Sequence, residues 1–342
     1  MKAMRFHEHG GPEVLKYEEA DDPKPGIGEV LVRVRATGLN HLDIWVRKGL
    51  PGVKTPLPHI PGSDIVGEIA EVGPGVDRQR GERVMVIPGR SCGRCEACLS
   101  GEDNYCARYE VIGGYYLDGG YAEYVAVPEV NLYPMPPDLS YEEAAAIPLC
   151  FITAWHMLVT QAQVRAGDDV LVLGAGSGVG SAAIQIAKLM GARVFATAGS
   201  DDKLHKAQAL GADVLINHAQ QDFSQEVRKQ TNGRGVDVVV EHVGKATWER
   251  SMRSLAPRGR LVTCGGTTGP VVEVNLLFLF SKQYVIAGAY LGTKREFYDL
   301  MRFVAQRRLR GVVDRVLPLA EAAEAHRVVE RREQFGKVIL RV

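Results

Sequence analysis

The sequence predicts an α/β fold: a doubly wound parallel sheet joined to a second, mostly-β domain. Three observations carry that prediction. From about residue 149 onward, strand-length apolar runs alternate with helical stretches, as in a parallel sheet wound by helices. Residues 1 to about 133 instead carry short strands divided by Gly and Pro, the texture of a small barrel or sandwich. Between them, Val170-Leu-Val-Leu-Gly-Ala-Gly-Ser-Gly-Val-Gly180 reads as a buried strand, a glycine turn and the start of a helix.

Taken in order, Glu29–Thr37 sets Val30, Val32 and Val34 against Arg33 and Arg35, the alternation of a half-buried strand. Ser63–Gly73, Arg83–Ile87 and Tyr121–Val127 read as further strands. Pro134-Met-Pro-Pro-Asp-Leu139 breaks the texture, and Ser140 with Glu143 three residues later forms a capping box that opens a helix. The domain crossing is expected just beyond, giving a first domain of 1–148. The strands of the second domain are expected at Val170–Leu173, Arg193–Ala198, Asp213–Ile216, Val236–Glu241, Arg260–Cys264 and Val285–Tyr290. A helix Asp201–Leu210 is expected with Ser200 as its cap and Gly211 as its stop. Lys337–Val342 reads as a closing strand.

Strand, glycine turn and helix in that order make a phosphate cradle. Glycines admit the backbone to a pyrophosphate, and the helix N-terminus attracts its charge. A strict G-x-G-x-x-G would need glycine where Val179 stands; the glycines fall instead at 174, 176, 178 and 180. Gly174, Ala175, Gly176, Ser177, Gly178, Val179 and Gly180 are the candidate cofactor-binding turn.

Lysine and arginine number 41 and aspartate and glutamate 41, so the formal net charge is zero. That argues against nucleic acid or an anionic membrane as partner and leaves a small molecule. The start Met-Lys-Ala-Met-Arg-Phe-His has no apolar leader core, and the longest apolar run, Val274–Phe280, is far below the roughly 20 residues of a membrane span. A cytoplasmic location is expected. Four of the six cysteines crowd into Cys92-Gly-Arg-Cys95-Glu-Ala-Cys98 and Cys106. Their spacing suits one tetrahedral zinc, and four cysteine ligands leave no open position, so that zinc is expected to be structural. The 92–106 lobe has almost no large apolar residues with which to order itself otherwise.

The cysteine lobe, Gly62-Ser-Asp-Ile-Val-Gly-Glu68, the Gly174–Gly180 turn and Val236-Asp-Val-Val-Val-Glu-His-Val-Gly244 together resemble the medium-chain dehydrogenase/reductase superfamily of zinc alcohol dehydrogenases and quinone oxidoreductases. The resemblance implies a GroES-like catalytic domain, a Rossmann domain over 149–280, and a 281–342 segment that completes the Rossmann edge and returns to the catalytic domain. It also implies cofactor contacts at His242, Val243, Gly244, Cys264 and Gly265, and Thr153 beside the nicotinamide. Members pair the edge formed here by Val274–Phe280 and Val285–Tyr290 across a homodimer, sometimes a homotetramer. Zinc alcohol dehydrogenases carry catalytic-metal ligands where this chain has Asn40, Ser63 and Leu149. Asn40 and Ser63-Asp64 resemble the quinone oxidoreductase branch.

These departures give the expected chemistry. Without a Lewis acid, oxidation of an unactivated alcohol is harder than hydride transfer to an acceptor that already delocalises charge. The leading expectation is an NAD(P)H-dependent reductase of a quinone, enone or other activated carbonyl, with Asn40 as first oxyanion donor and Ser63, Asp43 and Asp64 as further pocket residues. An alternative is an alcohol dehydrogenase whose catalytic zinc takes unusual ligands from His41, Asp43, His59, Asp64 and Cys150. A third is a catalytically silent nucleotide-binding protein. The second strand ends Phe195-Ala-Thr-Ala-Gly-Ser200 with no carboxylate at 198 or 199, and Ser200 with Lys203 suits a 2′-phosphate, so NADP(H) is expected over NAD(H).

Overall fold

A computed structural model describes residues 1–342 as two compact units, Met1–Leu149 with Thr293–Val342, and Cys150–Gly292.

The first unit is built on a seven-stranded sheet. Its path runs Val313–Pro318, Lys337–Arg341, Glu29–Gly38, Asp64–Val72, Arg83–Val86, Leu132–Pro134, with Tyr124–Pro128 also paired to Glu29–Gly38. All pairings are antiparallel except Val313–Pro318 on Lys337–Arg341. Val30, Val32 and Val34 point into one core with Ile65, Ile69, Val84 and Val86, while the exposed Arg33 alternates with them. The strand expected from Tyr121 starts only at Tyr124, because Tyr121 turns its N–H to Pro61 O and its side chain inward. The capping box holds: Ser140 Oγ accepts from Glu143 N at 3.1 Å and Glu143 Oε2 from Ser140 N at 3.1 Å, opening the helix Tyr141–Ala145.

The second unit is a six-stranded, wholly parallel sheet. Its order is Val214–Asn217, Arg193–Ala198, Asp169–Val172, Val236–Glu241, Leu255–Thr263, Val285–Gly288. Numbered along the chain this is 3-2-1-4-5-6, so the order reverses between Asp169–Val172 and Val236–Glu241, the place where such sheets leave a crevice for a ligand. Leu171, Phe195, Ile216, Val239 and Leu261 form the core against Phe223, Val227 and Trp248.

Other boundaries also differ from expectation. The strand expected at Arg260 begins at Leu255, and its pairing carries a register shift where it meets Val236–Val238. The last parallel strand stops at Gly288 rather than Tyr290, and the chain re-enters the first unit at Thr293. The Val274–Phe280 run folds in part as a helix, Leu276–Ser281, which Asn275 caps by accepting from Leu277 N and Phe278 N. No helix is long and apolar enough to cross a membrane.

Candidate functional site

In the cysteine lobe the Sγ atoms of Cys92, Cys95, Cys98 and Cys106 lie within 4.8 Å of one another. Cys98 Sγ is 3.5 Å from Cys95 Sγ and 3.9 Å from Cys92 Sγ. Zinc–sulfur bonds of about 2.3 Å put the corners of a tetrahedron roughly 3.8 Å apart, so the four thiols fit one closed zinc site. Cys92 N and Arg108 N donate to Cys106 Sγ at 3.4 Å; the Arg94 N–H leads in lowering the Cys92 thiol to about 5, while its place beside the Cys98 thiol, with burial, raises the Cys95 thiol to about 11. Asp103 anchors the lobe, accepting from Lys294 N at 3.0 Å and Lys294 Nζ at 2.8 Å.

In the second unit the glycine turn is held from behind by the neighbouring strand. Thr197 Oγ1 accepts from Gly174 N at 3.2 Å, and Thr197 O from Ala175 N at 2.8 Å. Gly174 has φ +57°, and a Cβ on Gly180 would stand 2.3 Å from Gly174 O. Helix and turn therefore touch backbone to backbone, which only glycine permits. The helix runs Gly178–Leu189, because Ser177 caps it by accepting from Gly180 N at 2.8 Å. This cradle fits a dinucleotide pyrophosphate.

His242 and Glu241 close the turn from the fourth strand. His242 Nε2 donates to Leu173 O at 2.9 Å, and burial lowers its pKa, so the ring stays neutral. The buried Glu241 accepts from Val243 N at 2.6 Å, Gly244 N at 3.0 Å, Thr247 Oγ1 at 2.9 Å and Ser251 Oγ at 2.6 Å. The amides of Val243 and Gly244 are thus engaged inside the protein. Burial pushes the Cys264 thiol up to about 12, which leaves it a packing group. At the end of the second strand Ser200 stands at the N-cap position, but its side chain makes no capping bond, a correction to the role expected of it. Asp201 Oδ1 is held by Asn217 Nδ2 at 2.7 Å.

In the first unit Asn40, Asp43, Ser63 and Asp64 are all buried, at the start of the helix His41–Lys48 and the strand Asp64–Val72. Sequence reasoning missed their organising charge, Lys337. Its ammonium donates to Leu39 O at 2.6 Å, Asn40 Oδ1 at 2.5 Å and Asp64 Oδ2 at 2.8 Å. Asn40 Nδ2 donates to Asp64 Oδ2 at 2.8 Å and to Gly38 O at 3.2 Å, and Asp64 Oδ1 accepts from Leu149 N at 2.6 Å. The Asn40 amide is therefore committed to the framework, which corrects its expected standing as first donor. Ser63 Oγ, fully buried, has no hydrogen-bond partner.

Asp43 accepts from Asn40 N at 2.7 Å, Gly62 N at 3.3 Å and Tyr121 Oη at 3.3 Å, and burial raises its pKa to about 7. The other groups weighed as unusual metal ligands have partners of their own: His59 Nδ1 faces Asp118 at 3.4 Å, and the His41 ring packs edge-on against Trp45. Thr153 and Cys150 are buried in the second unit on the helix Pro148–Trp155.

Residues 26–137 match the family described as alcohol dehydrogenase GroES-like domain, and 178–306 match zinc-binding dehydrogenase. Along its whole length the chain is 33% identical to an NAD-dependent alcohol dehydrogenase of Sulfolobus acidocaldarius, which it also covers completely. It is 32% identical to a quinone oxidoreductase of Sus scrofa over 99% of this chain and 97% of that protein. A solved structure titled NAD-dependent alcohol dehydrogenase is 50% identical and superposes with a TM-score of 0.96 over 100% of both chains.

Proposed function

We propose a specific reaction for this chain, which belongs to the medium-chain dehydrogenase/reductase superfamily and is an NAD(P)-dependent oxidoreductase: reduction of a quinone, enone or other activated carbonyl without a catalytic zinc. One observation carries the reading. The positions that hold catalytic-metal ligands in the alcohol dehydrogenase pattern carry Asn40, Ser63 and Leu149, and the polar groups around them are neutralised by Lys337. A fixed ammonium on Asn40 Oδ1 and Asp64 Oδ2 takes the lone pairs a divalent cation would need, and it repels one.

A bound nicotinamide supplies the hydride; the acceptor takes up that hydride and one solvent proton, leaving oxidised cofactor and reduced product. The chain's own residues orient and stabilise. Ser63 Oγ, buried and without a partner, is the donor we assign to the developing oxyanion, and Lys337 holds Asn40 and Asp64 rigid beside it. Thr153 is assigned to the nicotinamide by family resemblance. An enone or quinone spreads the incoming charge over several atoms, so it asks less of the protein's donors than a simple aldehyde does.

We further assign NADP(H) as preferred cofactor. No carboxylate ends the second strand, Asp201 is drawn to Asn217, and Ser200 and Lys203 are residue types that suit a 2′-phosphate. We also assign a homodimer or homotetramer. Leu276, Leu277, Phe278 and Phe280 are more than half exposed on one short helix beside the open edge strand Val285–Gly288. Light scattering with sizing reads the subunit number.

The deciding assay follows NADPH and NADH oxidation with quinones, enones and simple aldehydes, and cofactor reduction with alcohols. Faster turnover of a quinone or enone with NADPH supports the reading. Preference for NADH overturns the cofactor assignment; efficient alcohol oxidation that depends on a second metal overturns the reaction.

A further inference from the structure

Behind the substrate-side residues runs a buried chain of side chains whose direction the chemistry fixes. Arg47 is completely buried on the helix His41–Lys48. Its guanidinium donates from Nε to Gly10 O at 3.1 Å, from Nη2 to Glu330 Oε1 at 2.7 Å, and from Nη1 to His326 Nδ1 at 3.0 Å. Arginine only donates, so His326 Nδ1 is an acceptor. Burial and the neighbouring Arg47 charge push the His326 pKa down to about 3, so the ring is neutral and its one proton sits on Nε2.

That proton points at Tyr121 Oη, 3.4 Å away, and the two rings meet edge to face. The hydroxyl accepts there and donates onward to Asp43 Oδ2 at 3.3 Å. Asp43 in turn holds Asn40 N at 2.7 Å and Gly62 N at 3.3 Å. Asn40 starts its helix, and Gly62 directly precedes Ser63. Every hydrogen bond from Arg47 to Asp43 therefore runs one way, and the chain ends on the two backbone amides that carry the pocket residues. The Tyr121 ring is seated hard against this turn: a Cβ on Gly62, whose φ is +105°, would lie 2.3 Å from Tyr121 Cδ1.

We propose that His326 is a positioning residue of the site, acting through Tyr121 to orient the Asp43 carboxylate and thereby to fix Asn40 and the Gly62–Ser63 turn. The proposal rests on the reading that this pocket receives the acceptor carbonyl. Both side chains are fully buried, so they act through other residues. The ring of His326 converts a donor-only arginine into an oriented hydroxyl, which a hydrophobic residue of the same size cannot do. The links at 3.4 and 3.3 Å on either side of Tyr121 Oη are long, so the orientation is easily lost there.

The test uses His326→Phe, His326→Gln, Tyr121→Phe and the His326→Phe/Tyr121→Phe double variant of the full chain. Glutamine can accept from Arg47 and donate to Tyr121; phenylalanine can do neither. His326→Phe is expected to lower kcat roughly tenfold or more while the KM for cofactor is unchanged, since sub-ångström misplacement of a reacting group costs that much. Glutamine should recover most of the loss, and the double variant should be no worse than Tyr121→Phe alone.

Amide nitrogen shifts of Asn40 and Gly62 give a readout that needs no substrate: they should move in His326→Phe and return in His326→Gln. Unmoved amides, or losses that add in the double variant, overturn the positioning role. Failure of the wild-type protein to reduce any activated carbonyl instead overturns the functional reading, and the amide shifts still decide whether His326 orients Asp43.

Discussion

Lys337 Nζ lies 2.8 Å from Asp64 Oδ2, and both side chains are buried. The ammonium comes from the end of the chain and the carboxylate from residue 64, so this one contact ties the closing strand to the pocket. Replacing Lys337 by Met is expected to cost about 3–5 kcal/mol in urea unfolding, because it strands a buried carboxylate. Adding Asp64→Asn should recover part of that loss. A loss below about 1 kcal/mol would show that the pair contributes little.

Asp43 gives a pH dependence with a definite sign. Its folded pKa, about 7, lies above the usual 3.8, chiefly through burial. Between those values the folded state binds a proton that the unfolded chain does not, so this group's contribution to stability rises as pH falls from about 8 to about 5. The difference in unfolding free energy between the wild type and Asp43→Asn should therefore shift in favour of the wild type over that range. A difference that stays flat across the range would contradict the assignment.

The cysteine cluster predicts one zinc per chain by atomic emission. Cys98→Ser should lose it and become open to proteolysis within 92–106, since the lobe has no apolar core to fall back on. Two ions per chain in the wild type would contradict the proposed reaction without a catalytic zinc.

Gly180→Ala tests the dinucleotide cradle. The added methyl would meet Gly174 O at 2.3 Å, so the turn must open. The KM for cofactor should rise at least about tenfold with the far-ultraviolet circular dichroism unchanged. An unaffected KM would mean that the turn does not bind the pyrophosphate.

What could be seen in the sequence was whatever is local. Valine alternation marks Glu29–Gly38, glycine spacing marks the 174–180 turn, Ser140 with Glu143 marks a helix start, and the cysteine steps mark the lobe. The pocket's logic is non-local and could not be seen. Lys337 sits in an apolar strand 297 residues from Asn40, and His326 meets Tyr121 across 205. Nothing in either segment's pattern betrays its partner. The same blindness explains the expectation for Asn40: the residue type was right for a donor, but only the fold shows its amide already engaged by Asp64 and Gly38.

The strand Lys337–Arg341 lies inside the first unit's sheet, between Val313–Pro318 and Glu29–Gly38. During synthesis, residues 1–149 leave the ribosome long before that strand exists. At about 5–20 residues per second, the wait is on the order of ten seconds or more. Throughout it the Glu29–Gly38 edge is unpaired on that side and Asp64 has no cation. The second unit, one unbroken segment, can fold in the meantime. The first can finish only once Lys337–Arg341 has emerged, so until then its Glu29–Gly38 edge is open to unwanted strand pairing.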